Sequence, residues 1–163
     1  DTLAMMNTLA EKGWVSRDRI AVMGSSAGGF SVLQLLIQHP GLFKAAICSY
    51  AVSDLVDDAE NTHKFEKYYH RFLTGNYPEE KAHFIEHSPI SHIDRIKDPV
   101  ALFHGNEDPV VSVQQSRNIY ANGKENGVPS ALTIFDGEGH GFRRDENLER
   151  YFQEIIAFLK TYI

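Results

Sequence analysis

The stretch Arg19-Ile20-Ala21-Val22-Met23-Gly24-Ser25-Ser26-Ala27-Gly28-Gly29-Phe30 decides the fold. Its opening residues form a short apolar run that closes on Gly24, as a buried strand does. Residues 27–38 then carry Phe30, Leu33, Leu36 and Ile37 near helical spacing before Pro40-Gly41 stops them, so a helix follows the strand at once. Between the two sits G-x-S-x-G, Gly24 to Gly28, in the strand–turn–helix context that gives this motif its meaning. Such a turn strains the backbone at Ser26 and calls for glycine-sized flanks at Gly24 and Gly28, where strand and helix pack closely. Ser26 is thereby lifted off the sheet with its hydroxyl near the positive end of the helix. Small residues also gather in plain strand-to-helix turns, so the motif by itself does not establish a nucleophile.

Outward from this core, residues 2–12 read as a helix with Leu3, Met6, Leu9 and Ala10 at helical spacing and Gly13 at its end. Ala45–Tyr50 is a second apolar run without alternation, as expected of a parallel strand covered on both faces; Pro99–His104 reads as a third buried strand and Ala131–Asp136 as a fourth strand. Ser112 opens another helix, with Gln115 three residues on completing a capping box. The last helix runs from about Asn147 to Lys160 with Leu148, Phe152, Ile155 and Leu159 on one stripe. Residues 59–95, rich in Tyr, Phe and His, read as helical excursions on the surface. Strand and helix alternate four times, which predicts an α/β fold: a mainly parallel sheet with helices on both faces, and chemistry in the loops beyond the carboxyl ends of the strands.

At 163 residues with 42% hydrophobic and 23% charged, the chain has the composition of one compact globular unit, and it shows no repeat or linker. Its formal charge of −6 would repel a phosphate backbone, so no nucleic-acid partner is expected. No apolar run approaches the roughly 20 residues of a membrane helix, so no membrane association is expected either. The single cysteine, Cys48, lies in the run Ala45-Ala46-Ile47-Cys48 and reads as a buried small hydrophobe. The chain opens on Asp1, no targeting segment stands among its residues, and a cytoplasmic location is expected.

A serine hydroxyl is too weak an acid to attack a carbonyl unaided; it needs a base, and the base needs an orienting carboxylate. The third strand ends in His104-Gly105-Asn106-Glu107-Asp108 and the fourth in Asp136-Gly137-Glu138-Gly139-His140-Gly141-Phe142. Ser26, Asp108 and His140 thus follow three different strands in the order Ser…Asp…His, the order of an α/β-hydrolase. Asp136 and Glu138 are rival acids, but both share the loop of His140, and an orienting carboxylate usually comes from a separate element. As base, His140 acts only when neutral, so the rate should rise with pH.

These residues carry a resemblance. Gly24-Ser25-Ser26-Ala27-Gly28-Gly29-Phe30, His104-Gly105-Asn106-Glu107-Asp108 with Val110-Val111, and Glu138-Gly139-His140-Gly141-Phe142 resemble the catalytic domain of the prolyl oligopeptidase family, in its acylaminoacyl-peptidase and dipeptidyl-peptidase branch. Arg19–Gly24, Ser88-Pro89-Ile90 and Gln115-Ser116 support the likeness, which covers nearly the whole chain. It implies a partial α/β-hydrolase fold over residues 1–163 that lacks the usual N-terminal strands. Ser26 would be nucleophile, Asp108 orienting acid, His140 general base and the Ala27 N–H one oxyanion donor. The implied substrates are short peptides, acyl-aminoacyl bonds or small esters, with no cofactor and no metal. The alternative is a catalytically weak chain that needs a partner. An uncovered edge at Ile20–Met23 would favour a homo-oligomer or a separate N-terminal half.

Two further patterns stand in the sequence. His83-Phe84-Ile85-Glu86-His87 matches the H-x-x-E-H pattern of a zinc peptidase class, and on a helix His83 and His87 share a face. No third ligand stands out, and a solvated helical face explains the same letters. Phe65, Tyr68, Tyr69 and Phe72 read as packing, or as the wall of an acyl pocket.

Overall fold

The computed structural model describes residues 1–61 and 69–163. Helix α1 (Thr2–Glu11) precedes strand β1 (Ala21–Ser25), helix α2 (Ala27–Gln38) and strand β2 (Ala45–Ser49). Three short helices follow, α3 (Leu55–Asn61), α4 (Tyr69–Leu73) and α5 (Lys81–His87), then a 3₁₀ segment at Pro89–Arg95. Strand β3 (Val100–Gly105), helix α6 (Val113–Glu125), strand β4 (Ser130–Phe135) and helix α7 (Asp145–Tyr162) complete the chain. The strands form one parallel sheet in the order β1-β2-β3-β4, with Met23 opposite Ile47 and Phe103 opposite Thr133.

Successive residues of the strands enter two different cores, which is why their sequences do not alternate. Ala46, Cys48, Val100 and Leu102 face α1, α2 and α6 through Met6, Val32, Leu33, Leu36 and Ile119. Ile47, Ala101 and Phe103 face the opposite way, onto Tyr151 and Ile155 of α7. Every residue of β2 and β3 is buried, whereas β1 stands at the sheet edge with Met23 52% exposed. Cys48 is buried as expected, and burial pushes its thiol up to about 12, so it is protonated at neutral pH.

Four local expectations are corrected. The strand at Ala21 continues through Gly24 to Ser25, so the glycine motif begins inside the sheet. Gln115 does not close a capping box: Ser112 Oγ accepts from the Gln114 N–H, and the Gln115 side chain turns inward. On α7 the inward stripe passes through Tyr151, whose hydroxyl meets Ser49 Oγ at 2.8 Å, while Phe152 points to solvent. Nor is the segment after β2 merely a surface excursion. Phe84, Ile93 and Ile96 are buried; Gln34 Nε2 donates to the His87 carbonyl, Ser88 Oγ accepts from the Leu55 N–H, and the 3₁₀ segment packs on α2 and α6. Phe65 and Tyr68 lie outside the described residues, as does the side chain of Tyr69; Phe72 is exposed and is not in the wall of the cavity beside Ser26.

Candidate active site

The turn between β1 and α2 holds Ser26 at φ +54°, ψ −122°, a conformation that L-residues rarely adopt. Two anchors hold it there. The Ser26 N–H donates to Ser49 O at 3.0 Å, tying the turn to the end of β2, and the Phe30 N–H donates back to Ser26 O. A Cβ on Gly24 would lie 2.2 Å from Gly28 O, so only glycine fits there. At Gly28 a Cβ would meet nothing within 4 Å; the second close approach is at Gly29, against Ala51. The crowding expected at Gly28 therefore falls one residue later, because it is the inward side of α2 that meets Ala51.

Ser26, His140 and Asp108 converge. His140 Nδ1 lies 2.8 Å from Asp108 Oδ2 and its Nε2 lies 2.9 Å from Ser26 Oγ. A carboxylate only accepts, so Nδ1 carries the proton and Nε2 turns its lone pair to the serine hydroxyl, which donates to it. Asp108 Oδ1 accepts from the Val110 and Val111 amides at 2.8 and 3.0 Å. Burial raises the Asp108 pKa, but hydrogen bonds from His104, His140 and the Val111 and Val110 amides outweigh it and hold the carboxyl well below the usual range. An imidazole so oriented can remove the hydroxyl proton as the oxygen attacks a carbonyl carbon.

The loops meet because Gly105 has no side chain: a Cβ there would lie 2.2 Å from Glu138 O. The Glu107 N–H donates to that same oxygen at 2.9 Å. Glu138, a rival acid by sequence, is turned away from the imidazole. Its carboxylate accepts from the Arg143 and Arg144 amides, both at 2.9 Å, and from Asn147 at 3.0 Å, which braces the His140 loop. Asp136 accepts from Asn106 Nδ2.

Two residues join the site beyond those predicted as functional. His104 is fully buried, accepts a hydrogen bond from Ser116 Oγ at Nδ1 (2.7 Å), and sets Nε2 3.0 Å from Val111 O and 3.3 Å from Asp108 Oδ2. Tyr50, at φ +39° after β2, lays its ring 4.6 Å from that of His140. His104 stood in the stretch His104–Asp108 that carries the resemblance, without a role of its own, and Tyr50 had only its position at a strand end as a signal.

A cavity of about 470 Å³ opens beside Ser26 and His140. Phe30, Val52, Leu55, Leu73, Val110 and Val111 supply its apolar wall, and Asp58, Thr74, His83 and His87 its polar rim.

A model of the prolyl oligopeptidase family matches residues 1–163. The chain is 28% identical over 164 residues to dipeptidyl aminopeptidase BIII of Pseudoxanthomonas mexicana, covering 98% of this chain and 24% of that protein. It is 28% identical over 169 residues to the acylamino-acid-releasing enzyme of Arabidopsis thaliana, covering 99% of this chain and 22% of that protein. The solved structure of a puromycin-hydrolyzing peptidase from Mycobacterium tuberculosis superposes with a TM-score of 0.95 at 36% identity, over 99% of this chain and 24% of that one. The chain thus spans about a quarter of the length of these relatives, and its sheet is part of an α/β-hydrolase fold.

Proposed function

The chain belongs to the prolyl oligopeptidase family, and from that premise we propose that it carries the reaction centre of a serine hydrolase that cleaves short peptide, acyl-aminoacyl or small ester bonds. Ser26 Oγ attacks the carbonyl carbon while its proton passes to His140 Nε2. Asp108 holds the imidazole in the required tautomer and stabilises the imidazolium that forms. The Ala27 N–H, in the first turn of α2 and without an acceptor inside the helix, donates to the developing oxyanion. His140 then returns the proton to the leaving amine or alcohol, and water releases the acyl group by the same steps in reverse.

The observation that carries this reading is the position of His140, within hydrogen-bond distance of Ser26 Oγ on one nitrogen and of Asp108 on the other. The apolar cavity beside Ser26 supports an apolar acyl group, and the names of the peptidase relatives support peptide or acyl-aminoacyl substrates. An oxyanion donor contributes about 3 kcal/mol to such a transition state. Esters have the better leaving group and tolerate a poorer oxyanion hole, so ester cleavage should exceed peptide cleavage in this chain. A second reading, a weak chain that acts only with a partner, is favoured by the uncovered edge at β1. A fluorophosphonate probe separates the two. An adduct on Ser26 that disappears in Ser26→Ala supports the hydrolase; an unlabelled native chain supports the second reading.

A further inference from the structure

Helix α5 plays no part in the mechanism above, yet it faces the reaction. Phe84 is fully buried and fixes the helix in place, while His83, Glu86 and His87 are exposed. One ligating atom from each of the three lies within 4.8 Å of the others, and the two imidazole rings stand 4.0 Å apart. Glu86 thus offers a third donor beside the two histidines of the H-x-x-E-H pattern. Tetrahedral zinc, with bonds of about 2.0–2.1 Å, places its donors about 3.4 Å apart. All three side chains are exposed, so packing does not hold them at their present spacing. His87 is already oriented: its Nδ1–H donates to the His83 carbonyl at 2.9 Å, so in the neutral ring Nε2 holds the lone pair. A carbonyl behind the distal nitrogen is how proteins orient histidine ligands. Two imidazoles and one carboxylate, with a coordination position left open, suit zinc and, with rising affinity for nitrogen donors, nickel and copper.

His83 and His87 also line the cavity that contains Ser26 and His140. We infer that His83, Glu86 and His87 form a transition-metal site in the wall of this cavity, and that zinc bound there narrows the cavity and slows attack on bulky acyl groups. The site goes beyond the hydrolase reading; only the slowing rests on it.

Calorimetric titration of the 163-residue chain with zinc chloride should show one site of micromolar affinity. That affinity should weaken tenfold or more in His83→Ala and in His87→Ala. Both positions are exposed, so the melting curves should coincide with that of the native chain, and Glu86→Gln provides a third, smaller loss. With zinc saturating, labelling of Ser26 by a bulky fluorophosphonate should slow several-fold in the native chain and not in His83→Ala. Affinity unchanged by the two histidine substitutions overturns the metal site, and Ser26 labelling that proceeds at the same rate with and without bound zinc overturns the slowing. Calorimetry reads no turnover, so an absence of labelling without metal would count against the hydrolase reading and leave the metal site standing.

Discussion

His104 Nε2 lies 3.3 Å from Asp108 Oδ2, the oxygen that also meets His140, so one carboxylate is shared by two imidazoles. One of them is sealed in the core and the other faces Ser26. The buried ring fixes the carboxylate, and the carboxylate fixes the ring that faces Ser26.

Removing the buried imidazole should act on catalysis through Asp108. In His104→Leu, kcat for a small ester is expected to fall about tenfold, equivalent to about 1.4 kcal/mol, with KM little changed. His104→Gln keeps a side-chain donor and should recover part of the loss. Steady-state kinetics on both variants check this; equal kcat losses in Leu and Gln would refute a positioning role.

Asp108 also ties stability to pH. Its folded pKa is depressed, so the unfolded chain takes up the proton first. The stabilisation is complete above the unfolded value, about 3.9, and is lost as pH falls through the folded value well below it. In Asp108→Asn the melting temperature should be lower at neutral pH and should decline less between pH 4 and pH 2, as the midpoints of thermal unfolding will show. At neutral pH the same variant should lose about 10⁴ in kcat, since the amide no longer selects the required tautomer.

The two glycines of the serine turn should respond in opposite ways. Gly24→Ala drives a Cβ to 2.2 Å from a backbone oxygen, which costs about 1–3 kcal/mol and lowers the melting temperature by several degrees. Gly28→Ala meets open space inside a helix that favours alanine by up to about 1 kcal/mol, so its melting temperature should hold or rise. Calorimetric scans of the pair decide it.

Gln115 braces the loop that leads into α3 and the cavity wall. Its Oε1 accepts from the Ser53 and Asp54 amides at 2.7 and 3.0 Å, and its Nε2 donates to Asp57 at 2.8 Å. Gln115→Leu strands two amides, at about 1–3 kcal/mol each if they stay dry. A melting temperature lower by several degrees and a raised KM are expected, because Leu55 on the cavity wall follows this loop. Thermal scans and ester kinetics will test both.

Much of this was legible in the sequence itself. Apolar runs at Ala45–Tyr50 and Pro99–His104 meant buried strands, as β2 and β3 are, whereas the run at Ala21–Met23 gave no sign that β1 stands at a partly exposed edge; glycines around Ser26, Asp108 and His140 marked three strand ends. These signals are local: a strand's burial or a tight turn is written in neighbouring residues. The tertiary structure alone decided which side chains meet. Ser26 and His140 touch across 114 positions, the His140 loop meets the Asp108 loop where Gly105 lies against Glu138 O, and α5 turns two histidines into the cavity. Tyr151 rather than Phe152 faces the core, because a hydroxyl on β2 waits for it. Periodicity determines what an element is, but contacts between elements depend on how their faces pack, and no short window of residues records that.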